Sequence, residues 1–150
     1  MKNNHFEYLL ISFILCFGIM TKAYANPDVT VVNGYLKASI PGSDVTAAYM
    51  TIKNAGNSKV TLKKVTSGLS DRIEIHEHSM SNGMMRMRKV EDVVIEAKSE
   101  MLLQPSGFHL MIFSLTQQIT EQDVAAFTLH FSNDVKINIQ LPVYRHNRVQ

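Results

Sequence analysis

Short runs of β-branched and apolar residues, separated by turn residues, cover most of the chain after residue 28. Runs of this length bounded by Gly, Pro, Asn or Ser are typical of strands, and no segment has the longer period of an amphipathic helix. Asn33-Gly34 predicts a turn between the first two strands, and 116–123 is predicted to hold one helical turn. The predicted strands are 29–32, 35–40, 47–53, 60–65, 72–80, 84–90, 93–97, 100–103, 108–115, 125–131 and 135–143. This pattern indicates an all-β domain, a sandwich or a barrel with Greek-key connections.

The alternation of residues in 72–80 separates the two faces of that strand. Ile73 and Ile75 are predicted to face the core, so His76 and His78 face outward. The Asn82-Gly83 that follows is the strongest hairpin signal in the chain, because a type I′ turn needs positive φ at both central residues. A two-residue turn there would pair Ser81 with Met84, Met80 with Met85, and His78 with Met87.

The strand predicted at 108–115 presents a second pair of donors. His109 and Met111 share one face, while Leu110 between them faces the core. Ten residues separate His76 from Met87, and twenty-one separate Met87 from His109. Imidazole and thioether groups without a thiolate are a ligand set that favours Cu(I) over zinc, calcium or magnesium.

The methionines have a second interpretation. Methionine is most often core filler, and Met50 and Met101 are expected to be that. Four others crowd the predicted hairpin tip, where a core is not normally built: Met80, Met84, Met85 and Met87. They could surround a metal, or they could form a hydrophobic surface for a protein partner. The alternative function is therefore a metal-free secreted β-sandwich that binds a protein through this tip.

Other polar residues are weaker candidates for the site. His130 alternates with core residues and is expected to be solvated, and His146 lies in the polar tail. The residues alone leave open whether His76 or His78 is the ligand. The acidic residues nearby are interpreted as an exposed strand edge rather than a hard-ion site: Asp71, Glu74 and Glu77.

The first 25 residues have the features of a secretory signal. Lys2 precedes an apolar run over 8–20, and Ala23-Tyr24-Ala25 is an A-x-A cleavage site. The run is short for a membrane span, which needs roughly 20 residues. Residues 1–25 are thus expected to be a cleaved signal peptide, with 26–150 forming a single domain; an uncleaved anchor is the alternative. A lipoprotein signal is not expected, because Leu15 precedes Cys16 where a small residue is required.

Composition excludes several classes of function. Cys16 is the sole cysteine, so the cleaved chain would have no disulfide, thiolate metal site or cysteine nucleophile. Blue-copper electron transfer needs such a thiolate, and no Ser/His/Asp or paired-carboxylate pattern indicates an enzyme. The formal net charge is +2 and no basic stripe with interleaved aromatic residues is present, so nucleic acid is not an expected partner. No segment after residue 25 has the apolar length of a membrane span.

The segments EIHEHSMSNGMMRMRKVED and QPSGFHLMIFSL resemble the PCuAC-type periplasmic copper chaperones. The family signature is a His, ten residues, a Met, twenty-one residues and then His-x-Met. It falls here on His76, Met87, His109 and Met111 without any adjustment of spacing. The compatible strand pattern extends over roughly 28–143. His78 departs from the family, because relatives often carry a second methionine there, and the His/Met-rich C-terminal extension of some members is reduced here to His146.

The resemblance implies a cupredoxin-like β-sandwich with a solvent-accessible Cu(I) site formed by those four side chains. It also implies a periplasmic copper carrier, not an enzyme, that acts in cytochrome c oxidase assembly. The implied acceptor is the CuA centre of oxidase subunit II, or a thiol-containing copper assembly factor. We expect the protein to be a monomer.

Overall fold

Ten strands make up the regular structure of this chain. The computed structural model describes residues 28–81, 83–132 and 134–145, and no helix occurs within those ranges. The strands are β1 (Val29–Lys37), β2 (Thr46–Asn54), β3 (Val60–Ser67), β4 (Arg72–Ser81), β5 (Met84–Val90), β6 (Val93–Ile95), β7 (Ser99–Leu103), β8 (Phe108–Phe113), β9 (Val124–Phe131) and β10 (Lys136–Tyr144).

The strands form one continuous sheet that folds over on itself. Their order is β5-β4-β8-β7-β2-β1-β10-β9-β3-β6. The two halves are joined where β1 pairs in parallel with β10, at Leu36 opposite Val143. Strand β6 lies against β2 and β7, and β3 lies against β4. These contacts between the halves give two packed layers, with β5-β4-β8 at one end of the sheet.

The core lies between the two layers and follows from the alternation of side chains. Every second residue of β9 is buried, among them Phe127 and Leu129. Leu110 and Ile112 of β8 have no exposed surface, as predicted. Burying an aliphatic or aromatic side chain of this size contributes about 1.5–3 kcal/mol. This packing fixes the inner face of β8, and therefore fixes the direction of the side chains on its outer face.

The turn predicted at Asn33-Gly34 is wrong. Both residues lie inside β1, where the register with β2 shifts between Val32 and Tyr35. Asn33 has a φ of 54°, a conformation that Asn adopts more readily than most residues and that many turns require. A β-bulge uses the same conformation without reversing the chain. Because β1 pairs with β2 on both sides of the bulge, the strand continues.

The helical turn predicted within 116–123 is also wrong. Ile119 is buried, and its N–H donates to Ser39 Oγ at 2.9 Å. The Ser39 N–H in turn donates to the Ile119 carbonyl at 3.0 Å. These long-range bonds hold the segment extended against the chain after β1, and only a tight turn closed by Asp123 N–H on the Thr120 carbonyl remains local.

In the part of the chain that the structure describes, there is no helix with the length and apolarity needed to cross a membrane. The predicted signal peptide at 1–25, Cys16 and His146 lie outside the described residues.

Candidate metal centre

Three neighbouring strands, β5, β4 and β8, bring the predicted donors together. His76 of β4 lies directly opposite His109 of β8, and His78 lies opposite Met87 of β5. Met111 is opposite Glu74, and this pair lies two residues along the strands from the His76–His109 pair. Side chains two residues apart on a strand share a face. The two histidines and two methionines of the motif therefore share the face of the sheet that points away from the core.

The hairpin between β4 and β5 has the predicted register. Met80 pairs with Met85, and Ser81 pairs with Met84. Gly83 has a φ of 73°, a conformation that glycine adopts without steric penalty. This turn places Met87 diagonally from His76, a separation of about 7–8 Å between Cα atoms that long side chains can span.

His76 is held by the carboxylate of Glu74, which the sequence pattern indicated only as part of an exposed strand edge. Its Nε2 lies 2.8 Å from Glu74 Oε2, and Glu74 Oε1 accepts a second bond from Arg72 Nε at 3.0 Å. These two bonds hold the pKa of Glu74 below its ordinary value, and the bond to His76 has the larger effect. With the proton of a neutral His76 ring on Nε2, the lone pair is on Nδ1. That Nδ1 atom is buried and has no hydrogen-bond partner.

His109 is oriented by the backbone. Its Nδ1 lies 3.0 Å from the Gly107 carbonyl, which can only accept, so Nδ1 carries the proton and Nε2 carries the lone pair. Burial is the main cause that lowers the pKa of His109, and the neighbouring imidazoles of His78 and His76 lower it further. A ring kept neutral is a ring available to a metal.

The alternation of side chains suggested that His109 lies on an open surface, but the structure places it in a buried position. The residue is only 3% exposed, because the Tyr49 ring lies 6.4 Å from its own ring and the His78 ring lies 4.9 Å away. Strand β2, which carries Tyr49, pairs with β8. The implied solvent-accessible site is therefore corrected for the histidines: His109 is buried, and the His76 side chain is 13% exposed.

The thioether on the outer side of the group remains open to solvent. Met87 is 48% exposed on the edge strand β5, whereas Met111 is partly buried on β8. The tip methionines Met80 and Met85 are 68% and 65% exposed. They share the outer face with Met87, while Met84, which is also exposed, alternates to the opposite face.

His78 lies in the same group of rings. Its backbone N–H donates to the Gly107 carbonyl at 3.1 Å, and its ring is the one closest to that of His109. Its Nδ1, like that of His76, is buried without a partner. A buried polar atom left unpaired costs about 1–3 kcal/mol of stability. Two such nitrogens on one face of β4 are compatible with a site that binds an acceptor of lone pairs, such as a metal ion.

The other predicted residues are placed as follows. Met50 is buried and Met101 packs against the core, as expected. His130 is on the outer side of β9, where its ring bonds Thr66 Oγ1 at 2.9 Å. The interpretation of Glu74 as part of an exposed edge is wrong, because β4 has neighbours on both sides and β5 is the edge strand.

Two of the basic side chains on β5 form ion pairs, one on each face of the sheet. Lys89 lies opposite His76 and pairs with Glu91 at 3.1 Å. Arg88 projects to the other face and pairs with Glu77 at 2.7 Å. In the described ranges, no three His, Cys, Asp or Glu side chains are already gathered as a metal-binding group. The motif contains two side chains of those types, His76 and His109, and its other two candidate donors are the thioethers of Met87 and Met111.

Comparison with known proteins defines the class. The sequence matches the family described as "Putative lipoprotein LpqE-like" over residues 29–143, so the chain belongs to the LpqE-like family. A curated relative, "Putative lipoprotein Lxx21020" of Leifsonia xyli subsp. xyli, is 29% identical over 116 residues, which are 77% of this chain and 69% of the relative.

Solved structures of PCuAC domains share the fold. The copper-bound PCuAC domain from PmoF2 superposes with a TM-score of 0.69 at 18% identity, covering 82% of this chain and 97% of that domain. The Cu(I) form of DR1885 from Deinococcus radiodurans gives 0.66 at 25% identity, covering 84% of each chain. Its apo form gives 0.62 at 26%, covering 86% and 87%. The predicted all-β, cupredoxin-like sandwich is confirmed.

Proposed function

We propose that this protein is an exported copper chaperone that binds Cu(I) through His76, Met87, His109 and Met111. The observation that carries the proposal is the placement of these four side chains on one face of three adjacent strands. Two further features support it: the free nitrogens expected on His76 and His109, and the copper-bound states of the similar PCuAC structures.

The donor set accounts for the choice of ion. Two neutral imidazoles and two thioethers contribute no charge, and soft thioethers favour Cu(I) over harder divalent ions. We propose a carrier and not an enzyme, because weak thioether donors allow the ion to be released to an acceptor. Copper is its cargo.

Release is proposed to begin at the exposed side of the site. Met87 is half exposed, whereas His109 is buried, so an incoming thiolate or imidazole would reach copper first where Met87 binds. Thioethers are weak donors, and a thiolate-rich acceptor would therefore take the ion by stepwise ligand exchange. The acceptor we propose is the CuA centre of cytochrome c oxidase subunit II or a thiol-containing factor that assembles it.

Location and assembly are proposed on the same basis. The A-x-A site before Asn26 predicts export to the periplasm. The family and the curated relative are described as lipoproteins, yet Leu15 stands before Cys16 in this chain. We therefore propose that the signal is cleaved and that the protein has no lipid anchor, and we propose separately that it is a monomer.

The test is a Cu(I) competition titration of Met87→Leu against a matched control. Met84 lies on the same strand with similar exposure, 56% against 48%, but on the opposite face. Met87→Leu is expected to weaken Cu(I) binding tenfold or more, with the fold unchanged by circular dichroism. Met84→Leu is expected to bind as the wild type does. Equal affinities for both variants and the wild type would overturn the proposed site.

The second candidate function is the metal-free protein-binding module. It is favoured by the exposed methionines of the hairpin tip, which are 48–68% exposed. It predicts no Cu(I) binding, and a partner whose binding survives Met87→Leu because leucine preserves the apolar surface.

A further inference from the structure

The third imidazole of this site has no part in the four-donor set. His78 is on the same face of β4 as His76, and its ring centroid is 4.9 Å from that of His109. The centroids of His76 and His109 are 6.1 Å apart. We infer that His76, His78 and His109 form a nitrogen-only ligand set that binds oxidised copper, Cu(II), at the same place. This inference rests on the proposed function, because it assumes that copper is the cargo.

The separations of the His76 ring and of the His78 ring from the His109 ring are each compatible with a shared ion. An imidazole–metal bond of about 2 Å places the ring centroid about 3 Å from the metal, so two rings on one ion have centroids at most about 6 Å apart. The two measured separations fall at or within that range. His76 and His78 are two residues apart on one strand, so both project from the same face.

The nitrogen lone pairs needed for this set are present. Nδ1 of His78 and Nδ1 of His76 are buried without a hydrogen-bond partner. The bond from His109 Nδ1 to the Gly107 carbonyl leaves Nε2 free on the third ring. The three nitrogens do not yet converge on one point in the structure. Rotation of the partly exposed His78 side chain, a common change on binding, would bring its nitrogen toward those of His76 and His109.

The chemistry of the three rings selects Cu(II) among the divalent ions. Imidazole donors suit copper, zinc and nickel, and affinity along the first-row series is highest for Cu(II). The thioethers of Met87 and Met111 are soft and favour the reduced ion instead. The same face thus offers a sulfur-containing set for Cu(I) and a nitrogen set for Cu(II), which share His76 and His109. His78 is the residue that distinguishes them.

The experiment titrates purified protein separately with Cu(II) and with Cu(I), and counts imidazole ligands of bound Cu(II) by pulsed electron paramagnetic resonance. The wild type is expected to show three imidazoles. His78→Met should show two, with Cu(II) affinity lowered tenfold or more and Cu(I) affinity within threefold of the wild type. Met87→Leu should keep three imidazoles and the wild-type Cu(II) affinity, while its Cu(I) affinity falls tenfold or more. His130→Met is the matched control, since His130 bonds Thr66 on another strand pair, and it should alter neither affinity.

The outcomes separate this inference from the proposed function. If His78→Met leaves the imidazole count and the Cu(II) affinity unchanged, or if the wild type binds Cu(I) but not Cu(II), the role of His78 is refuted while the Cu(I) site stands. If neither ion binds, the proposed function fails as well. Thermal unfolding of each variant checks that the fold is intact; should His78→Met be unfolded, His78→Gln gives the same comparison.

Discussion

Removing the Glu74 carboxylate should weaken copper binding without touching any proposed ligand. Glu74 accepts the Nε2–H of His76 at 2.8 Å, and the two side chains are 17% and 13% exposed, so the bond is largely shielded from water. In Glu74→Ala the His76 ring loses the group that fixes its tautomer and orientation. Such outer partners of metal-bound histidines contribute about 10–100-fold to affinity, or about 1.4–2.8 kcal/mol.

The assay is a Cu(I) competition titration against a chromogenic chelator, with two accompanying variants. Glu74→Gln keeps an acceptor oxygen but loses the charge, so its affinity should lie between those of the wild type and Glu74→Ala. Glu77→Ala is the matched control, because Glu77 is on the same strand, faces the other way and bonds Arg88. An affinity of Glu74→Ala within about twofold of the wild type, well below the effect such partners usually have, would refute the positioning role.

Two further predictions test the histidine ligands and the strand that carries one of them. Protons compete with copper for imidazole, and burial keeps the pKa of His109 below its ordinary 6.5. Cu(I) affinity should therefore stay constant near pH 7–8 and fall as the pH drops below about 6.5. Competition titrations that show no change in affinity down to about pH 5 would contradict histidine ligation. Leu110→Ala removes a fully buried side chain between His109 and Met111 and should lower the free energy of unfolding by about 2–5 kcal/mol in urea denaturation; a loss below about 1 kcal/mol would show that the strand is not anchored there.

Local sequence predicted the β4–β5 hairpin because its determinants are local. In the sequence, Asn82-Gly83 indicates a turn and the alternation about Ile75 indicates the two faces, and the pairing of His78 with Met87 that they predict is the one observed. The four donors were found through their residue types and their spacing. Their meeting on one face additionally requires β8 to lie next to β4, and that neighbourhood depends on the whole sheet.

The features that the sequence missed depend on such long-range contacts. His109 is buried because β2 brings Tyr49 beside it, which no pattern within 108–115 could indicate. Glu74 looked like an edge residue because nothing local shows that β4 is flanked on both sides. Asn33-Gly34 has the residue preferences of a turn, and only pairing of β1 with β2 on both sides of it makes it a bulge.

The central claim is that nitrogen and sulfur donors from β4, β5 and β8 gather around one reduced copper ion. X-ray absorption of the Cu(I)-loaded protein tests this most directly. We expect a reduced edge with both nitrogen and sulfur scatterers, and a smaller sulfur contribution in Met87→Leu. A shell of nitrogen and oxygen alone, or a sulfur shell that Met87→Leu leaves unchanged, would contradict it.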